Sequence, residues 1–391
     1  MTQPIPQKIQ ENNPDLIKPK QFNTLLVDGS NLLEISCIHK KLNSKGREIG
    51  GIYQFLLQLK LLLKKGNFRY VYVMWDGFNS GQLRHIYNTD YKANRDKKFS
   101  DDNLSDYMKE VEAHIRYMEQ KIFTKPRKSE SEKENFMWQR EVLIKCLDEL
   151  CVRQCLYDEV EADDFIGYYV SHKLPEENIV IFSNDRDLTQ LIHKSSINKD
   201  KDDVIIAIKP HKSDIRFINS RNHIDEMGYH YENVVLKKVI CGDTSDNIKG
   251  IKGVGEKTLL TNFPQFLSRK VTLEEVINGA SLINEERKKN KQKPLKWAEN
   301  IVNRVTDGVT GSKIYEINEK IIDLTNPLMH EGAKELLDNI MYAPLDTEER
   351  NIENLYKIII ENDIDELKNE VYFSNFFIEY KFLMDKESRN L

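Results

Sequence analysis

The sequence has few cysteines, no long apolar run and no excess of positive charge. Its 391 residues include five cysteines, an odd number without a CxxC pair. We therefore expect reduced thiols, not a disulfide framework or a structural zinc site. No stretch approaches the roughly 20 apolar residues of a membrane-spanning helix, so we expect no membrane partner. A net charge of −5 excludes a uniformly basic nucleic-acid binder but still allows local basic patches.

Size and composition describe a soluble and rather polar globular chain. With 39% apolar and 31% charged residues, the chain can bury a substantial core, as one large domain with appendages or as two domains. Residues 1–20 lack the apolar core region of a signal peptide. We interpret them as a flexible tail and expect the protein in the cytoplasm.

Three apolar segments of strand length lead directly into aspartates. Strands alternate with helical patterns along this part of the chain, which favours a doubly wound parallel sheet of the α/β class. Because parallel strands end at one edge of their sheet, the aspartates that follow them are expected to meet there. The predicted strands cover 22–27, 70–75 and 179–182, and the aspartates are Asp28, Asp76, Asp185 and Asp187.

Further acids open a predicted helix. Glu161, Asp163 and Asp164 precede an apolar run, 165–170, whose one potential helix breaker is Gly167. Each acid alone has an ordinary explanation, because carboxylates in a first helical turn interact favourably with the helix dipole. Together with the strand-end aspartates, however, they would repel one another unless cations lie among them. Hard oxygen ligands at this density suit Mg²⁺ or Mn²⁺.

Basic residues alternate with tyrosines in the segment 81–98. Lys92 and Arg95 are three residues apart and would share a face of a helix. Basic side chains interleaved with aromatic rings suit phosphates and stacked bases, although a solvated helix explains the pattern equally well. The candidate DNA-contacting residues here are Arg84, Tyr87, Tyr91, Lys92 and Arg95.

A glycine-rich segment lies between two predicted helices, one over 234–241 and one that starts at Glu256. Glycines at this spacing expose backbone N–H groups, which can bind phosphate. The GxxxxGK[ST] order of a Walker loop is absent, so a helix–hairpin–helix that holds duplex backbone fits better than a nucleotide site. An ordinary glycine-rich connection is the alternative. The candidate residues are Lys249, Gly250, Lys252, Gly253, Gly255 and Lys257.

These patterns divide the chain into four parts. After the tail we expect an α/β core over 21–232, including a charged segment at about 81–135 and a hairpin formed by 204–209 and 215–219. The helix–hairpin–helix covers 233–270. The remainder, 271–391, is predicted to be mostly helical, with its aromatic stretch 372–383 as one helix.

Six motifs occur in a specific order: VDGSN, WDG, YKANR, EADD, SNDRD and GDTSDNIKGIKGVGEKT. Over roughly 25–261, this set resembles the phage and bacterial 5′→3′ exonucleases of the flap endonuclease family, which includes phage enzymes called ribonuclease H. The resemblance implies a PIN-like parallel-sheet core, a helical arch at about 81–135 and a helix–three-turn–helix that binds DNA.

The resemblance also implies roles for individual residues. Two Mg²⁺ or Mn²⁺ ions would be bound, with Asp28, Asp76 and Asp185 central to catalysis. Lys92 and Arg95 would lie over the scissile phosphate, and K⁺ is a candidate ligand of the glycine-rich turn. The implied first-metal ligands are Asp28, Asp76, Glu161 and Asp163, with Asp164 beside them; Asp185 and Asp187 complete the centre, and Asp243 and Asp246 belong to the second metal.

The leading hypothesis is a structure-specific, metal-dependent 5′ nuclease in replication or repair. It would act as a monomer on DNA with 5′ flaps or ends and on RNA–DNA hybrids such as primers, with a single-strand-binding protein or a clamp as a candidate partner. A catalytically silent DNA-junction binder and a PIN-type RNA endonuclease are the alternatives. The complete set of carboxylates argues against the first alternative, and the glycine-rich turn argues against the second.

Overall fold

A seven-stranded sheet forms the centre of the structure, a computed structural model that describes residues 22–92, 130–210, 214–306, 311, 313–345 and 349–388. Its strand order is β3-β2-β1-β4-β6-β5, and β7 also pairs with β6. The first five strands in this order are parallel to one another, whereas β5 and β7 are antiparallel to β6. The strands are β1 (Thr24–Asp28), β2 (Tyr70–Met74), β3 (Arg153–Cys155), β4 (Ile179–Phe182), β5 (His193–Lys194), β6 (Asp202–Ile208) and β7 (Arg216–Ile218). The predicted parallel α/β sheet and the hairpin of β6 and β7 are confirmed.

Helices cover both faces of the sheet and form most of the C-terminal part. Up to the glycine-rich segment they are α1 (Gly29–Ser36), α2 (Gly50–Lys65), α3 (Gln82–His85), α4 (Glu130–Glu149), α5 (Ala162–His172), α6 (His223–Met227) and α7 (Val234–Cys241). After it follow α8 (Glu256–Asn262), α9 (Leu273–Lys289), α10 (Lys296–Asn303), α11 (Ile314–Ile322), α12 (Glu331–Ile340), α13 (Ile352–Glu361), α14 (Glu370–Phe376) and α15 (Ile378–Ser388). Short 3₁₀ helices lie at Arg186–Leu191, Tyr231–Asn233, Pro264–Leu267 and Asp365–Leu367.

Alternate strand residues enter two separate cores, as the two-residue period of a strand requires. Leu25 and Val27 of β1 face one core, and Leu26 between them faces the other. The first core also takes side chains from α2, α4 and the last three helices, α13 to α15. The second takes side chains from α5 and α12. The C-terminal helices are therefore integral to the sheet's packing.

A third core lies beneath the glycine-rich segment. Within that segment β8 (Gly242–Asp243) and β9 (Ile248–Lys249) form a two-stranded sheet, a feature that the sequence did not predict. Apolar side chains of α7 and α8 pack there against α9, α10 and α11. The segment thus rests on helices that follow it in the chain, which positions it relative to the sheet.

One prediction about the helices is wrong. The stretch 372–383 forms parts of α14 and α15, which are separated at Phe377. Phe376 and Phe377 are both buried in the first core, and since neighbours on a continuous helix point about 100° apart, the break lets both rings enter it. Of the predicted arch, the structure describes α3, the turn that ends at Lys92, and α4; residues 93–129 lie outside the described residues. Among the helices that are described, none has the length and apolarity needed to cross a membrane.

Gly167 tests how tightly α5 is packed. A Cβ at this position would lie 2.1 Å from the backbone oxygen of Leu324. Gly167→Ala should therefore destabilise the fold by about 1–3 kcal/mol through overpacking, although alanine is the better helix former. Urea unfolding measures this difference.

The matched control is Gly332→Ala in α12. A Cβ there would approach the hydroxyl of Tyr157 at 2.7 Å, the end of a partly exposed side chain that can move aside. We expect this variant to be as stable as the wild type or slightly more so. Equal destabilisation of both variants would contradict the close approach at Gly167.

Candidate metal centre and duplex-binding turn

Two aspartates mark the carboxyl ends of neighbouring parallel strands. Asp28 ends β1 and Asp76 follows β2, and both are almost fully buried. Asp28 also caps α1, since its carboxylate accepts a hydrogen bond of 3.0 Å from the backbone N–H of Asn31. The hydroxyl of Ser30 accepts from the backbone N–H of Asp76 at 3.0 Å. The first turn of α1 therefore ties the two strand ends together.

The third strand end joins the same edge through Ser183. Its hydroxyl donates to Asp28 Oδ2 at 3.1 Å and accepts from the backbone N–H of Asp185 at 3.0 Å. The carboxylate of Asp185 in turn accepts from the backbone N–H of Asp187 at 2.9 Å. Asp28, Asp76 and Asp185 thus share one sheet edge, as the strand pattern predicted.

Helix α5 adds its acids by starting against Asp76. The backbone N–H of Ala162 donates to Asp76 Oδ1 at 2.8 Å, which brings Glu161 and Asp163 on either side of it to the edge. Both carboxylates are buried. The hydrogen bond from Ala162 to Asp76 therefore fixes the acids on both sides of it, Glu161 and Asp163, next to Asp76.

The structure corrects the predicted roles of Arg84 and Asp164. The guanidinium of Arg84 binds both oxygens of Asp164, at 2.7 and 2.9 Å, and also contacts Glu161 at 3.2 Å. Asp164 further accepts from the backbone N–H of Leu328 at 3.2 Å. Arg84 is 4% exposed, so its guanidinium faces the acids and not solvent, and both oxygens of Asp164 are paired with it. Burial of a charge requires such a partner, which explains the pair.

Lys92 is held more firmly than its charged surroundings suggested. It lies in a turn with φ of +58° and not in a helix, and its predicted partner Arg95 falls outside the described residues. It is 3% exposed, and its Nζ lies 2.7 Å from Glu161 Oε1. Its backbone N–H donates to the carbonyl of Asp246 at 2.8 Å. Lys92 is therefore held firmly at the acidic edge.

The two tyrosines of this segment have different surroundings. Tyr91 is 3% exposed within the third core, so it is wrong as a ring on which bases stack. Tyr87 is 42% exposed, with the ammonium of Lys320 5.6 Å from its ring centroid. Tyr87 stays a candidate DNA contact.

A second acidic group joins the core to the glycine-rich segment. The carboxylates of Asp187, Asp243 and Asp246 offer oxygens that all lie within 4.8 Å of one another. Within the described part of the chain, this is the one group of three potential ligands that meets this distance. The structure therefore brings the predicted second-metal ligands Asp243 and Asp246 together with Asp187 of the core.

Lys238 of α7 lies inside this second group. Its ammonium contacts the carboxylates of both Asp187 and Asp243. Burial would raise the pKa of Asp243, but the charge of Lys238 and hydrogen bonds from Ser245 outweigh it and hold the pKa at about 2. Burial, together with the charges of Asp246 and Asp243, raises the pKa of Asp187, and Lys238 opposes this. The group is thus an acidic site that already contains a cation.

The glycine-rich turn presents its lysines to solvent. Lys249, Lys252 and Lys257 are exposed, as are Gly253 and Gly255. The backbone N–H groups of these two glycines make no hydrogen bond within the described residues, which leaves both donors available. Gly253 has φ of +80°, a conformation that other residues adopt at a cost.

Polar side chains of α10 and α11, and of Thr306 between them, hydrogen-bond to this turn. Asn300 donates to the carbonyl of Lys252 at 2.8 Å, and Thr306 donates to that of Gly250 at 2.9 Å. Asn318, which is 1% exposed, donates to the carbonyls of Val239 and Lys249 at 3.1 and 2.9 Å. Gly250 itself is required by packing, since a Cβ would lie 2.1 Å from the carbonyl carbon of Cys241.

Sequence reasoning missed several residues that shape the site. Lys238, Ser183 and Arg140 were not singled out; Arg140 donates to the backbone carbonyl of Asp76 at 3.0 Å. A lysine five positions before Asp243 is too common a pattern to indicate an ion pair. Only the serine between β4 and Asp185 had a signal, because a short polar side chain there can bond to its neighbours.

Comparisons with known proteins agree with this arrangement. The sequence family described as "5'-3' exonuclease, N-terminal resolvase-like domain" matches residues 23–217. The 5'-3' exonuclease of Mycoplasmopsis pulmonis is 28% identical over 278 residues, which cover 70% of this chain and 75% of the relative. DNA polymerase I of Bacillus subtilis is 28% identical over 263 residues, 66% of this chain but 25% of that much longer protein.

Solved structures show the same fold. The T5 D15 protein co-crystallised with metal ions is 18% identical, with a TM-score of 0.50 over 88% of this chain and 98% of that one. The structural likeness supports the fold, and the sequence matches identify the group to which it belongs. Residues 23–217 therefore belong to the 5′–3′ exonuclease family, as its N-terminal resolvase-like domain.

Proposed function

We propose that this chain is a structure-specific, metal-dependent 5′ nuclease that cleaves phosphodiester bonds in DNA with 5′ ends or flaps and in RNA–DNA hybrids. One observation carries the proposal: Asp243 and Asp246 of the glycine-rich segment lie within 4.8 Å of Asp187 of the core. A surface suited to duplex backbone therefore adjoins the acidic edge. The predicted cytoplasmic location, monomeric state and a clamp or single-strand-binding partner stay predictions.

Divalent ions fit the residues that are present. The site offers carboxylate oxygens, the ligands that Mg²⁺ and Mn²⁺ prefer, and the chain's own Lys238 already fills part of it with positive charge. We propose two ions, one near Asp28, Asp76, Glu161, Asp163 and Asp185, and one at Asp187, Asp243 and Asp246. Such ions supply an activated water and stabilise the leaving oxygen.

Lys92 is the side chain we propose for the reacting phosphate. Its ammonium is buried among the acids and bound to Glu161, so it needs little reorganisation to act on charge that develops nearby. Arg95 is proposed beside it from the sequence resemblance alone. Cleavage on this arrangement leaves a 5′-phosphate product.

The turn would hold the duplex without selecting a sequence. Exposed lysines and free backbone N–H groups suit phosphate oxygens, which are the same at every base pair. Its residues Lys249, Lys252 and Lys257 lie on the segment that also provides Asp243 and Asp246. A duplex docked on the turn would therefore extend towards the acids. Binding of K⁺ in the turn is part of this proposal.

The role of the acidic edge is tested by Asp28→Asn and Asp185→Asn. Each should abolish cleavage of a labelled 5′-flap substrate in Mg²⁺, because an amide cannot replace the charge that the ions require. The fold should persist, since asparagine also caps helices. Asp225→Asn, at an exposed helical position, is the control and should retain full activity. Full activity of either test variant would contradict the metal assignment.

The role of Lys92 is tested by Lys92→Ala. Single-turnover cleavage should fall at least about tenfold, because the lost charge acts mainly in the transition state. Duplex affinity, measured with Ca²⁺ in place of Mg²⁺, should change by less than about threefold on the same principle. Lys92→Arg, which retains the charge, should recover part of the rate. Equal losses in rate and affinity would make Lys92 a docking residue.

The duplex-binding turn is tested by Lys252→Glu and Gly253→Val. Both should weaken binding to duplexes of any sequence to a similar extent, and loss of one phosphate contact should reduce the salt slope by about one. Lys289→Glu, the same charge reversal at an exposed position of α9, is the control. Affinity losses that depend on base sequence, or an equal effect at Lys289, would count against the assignment.

A further inference from the structure

The second acidic group contains a cation that the chain itself supplies. Lys238 lies in the last turn of α7, and its ammonium contacts Asp187 and Asp243 at once. Its side chain is 12% exposed, as is that of Asp243, and Asp187 is 29% exposed. Together with Asp246, these two acids form the group whose oxygens lie within 4.8 Å of one another. The ammonium therefore bonds two of the three carboxylates proposed to hold an ion.

We propose that Lys238 is a tethered cation that competes with a divalent ion for the Asp187–Asp243–Asp246 group. The ion would bind where the ammonium has moved away, and the ammonium would return when the ion leaves. This inference rests on the proposed function, because it concerns how the proposed metal centre is loaded. It assigns Lys238 a positioning role that does not require contact with the substrate.

The three carboxylates attract either cation, the Lys238 ammonium or a divalent ion. Three ionised carboxylates at this spacing repel one another, and one ammonium removes part of that repulsion. A divalent ion brings twice the charge, but it must take carboxylate oxygens that the lysine already binds.

The lysine side chain can make this exchange because of its shape. Its ammonium ends a flexible four-carbon stem, whereas the planar guanidinium of Arg84 is fixed by two hydrogen bonds to Asp164. Once displaced, the ammonium would remain within reach of the acidic edge. There it would be free to pair with a phosphate oxygen of bound DNA. Metal loading would then favour DNA binding, and DNA binding would favour metal loading to the same extent.

Mn²⁺ binding to the full chain without DNA tests the competition. Isothermal titration and the electron paramagnetic resonance of free Mn²⁺ both give affinity and stoichiometry. Lys238→Met should bind one Mn²⁺ at least about tenfold more tightly than the wild type, because a competing charge in contact with two ligands is removed. Lys238→Gln, a second neutral variant with a polar end, should show the same direction. Unchanged or weaker Mn²⁺ binding in folded neutral variants would overturn the inference.

The adjacent lysine provides a matched control. Lys237 lies on the same helix, and its ammonium is 2.9 Å from Glu256 instead of the acidic group. Lys237→Met removes the same charge and should leave Mn²⁺ affinity within about threefold of the wild type, since the lost charge does not contact the ligands. Lys238→Arg keeps a cation with a less flexible end and should bind Mn²⁺ no more tightly than the wild type. A tenfold gain in Lys237→Met would show that net charge alone sets the affinity and would refute the competition.

Thermal unfolding provides a readout that does not depend on activity. In EDTA, Lys238→Met should unfold at a lower temperature than the wild type, because its carboxylates have lost their counter-charge. Saturating Mn²⁺ should remove most of this difference, so the metal-dependent rise in Tm should be larger in the variant. A variant that folds only with Mn²⁺ supports the inference. An equal loss of Tm with and without Mn²⁺ contradicts it.

The same titration separates this inference from the proposed function. Asp243→Asn, with Lys238 retained, should lower the affinity of one Mn²⁺ site. Should Asp243→Asn leave Mn²⁺ binding unchanged, the proposed metal centre is wrong and the inference fails with it. Should Asp243→Asn weaken binding while Lys238→Met leaves it unchanged, the metal centre stands and the competition alone is refuted.

Discussion

The mutual repulsion of carboxylates at one sheet edge is the constraint on which the rest of the structure depends. Parallel strands and the start of α5 deliver these acids together, and the chain offsets their charge with three of its own cations. Arg84 binds Asp164, Lys92 binds Glu161, and Lys238 binds two further aspartates. Buried ion pairs contribute less to stability than their contacts suggest, because both charges lose their water. Their main effect here is positional: the segment of Arg84 and Lys92 and the helix of Lys238 must lie against the edge.

The C-terminal helices also help to position the acidic groups, through hydrogen bonds to the turn and to α7. The duplex-binding turn buries Ile248, Ile251 and Val254 in the third core, whereas its exposed lysines and glycines add no buried contact. Helices α10 and α11 provide the buried amides of Asn300 and Asn318, which bond to carbonyls of the turn and of α7. Because α7 also carries Lys238, these helices position the acidic group and the turn together. The region that follows the family match is therefore part of the site's framework.

Local patterns predicted the fold well, and long-range pairing explains what they missed. The limits of β4 and α7 follow from apolar runs bounded by turn residues, so the sequence reveals them directly. The strand ends also predicted correctly that Asp28, Asp76 and Asp185 share one sheet edge. The sequence could not show which acids pair with a cation of the chain. Arg84 and Asp164 are 80 residues apart, and only the folded chain brings them together. Tyr91 was misjudged for a related reason, because its third-core neighbours come mostly from residues beyond 238.

The acidic group and the duplex-binding turn share one covalent segment, and this has consequences for how the parts act. Asp243 and Asp246 precede the exposed lysines by a few residues, and the backbone N–H of Lys92 is bonded to the carbonyl of Asp246. The side chain of Asn247 likewise donates to the carbonyl of Asp90 at 2.6 Å. A shift of this segment therefore moves two carboxylates, the turn and the start of the predicted arch together. Any ligand that binds one arrangement of the segment more tightly than another must alter the affinity of the others, and the effect is reciprocal. On the proposed function, charge balance at the acids and contact with duplex backbone would therefore be one coupled equilibrium.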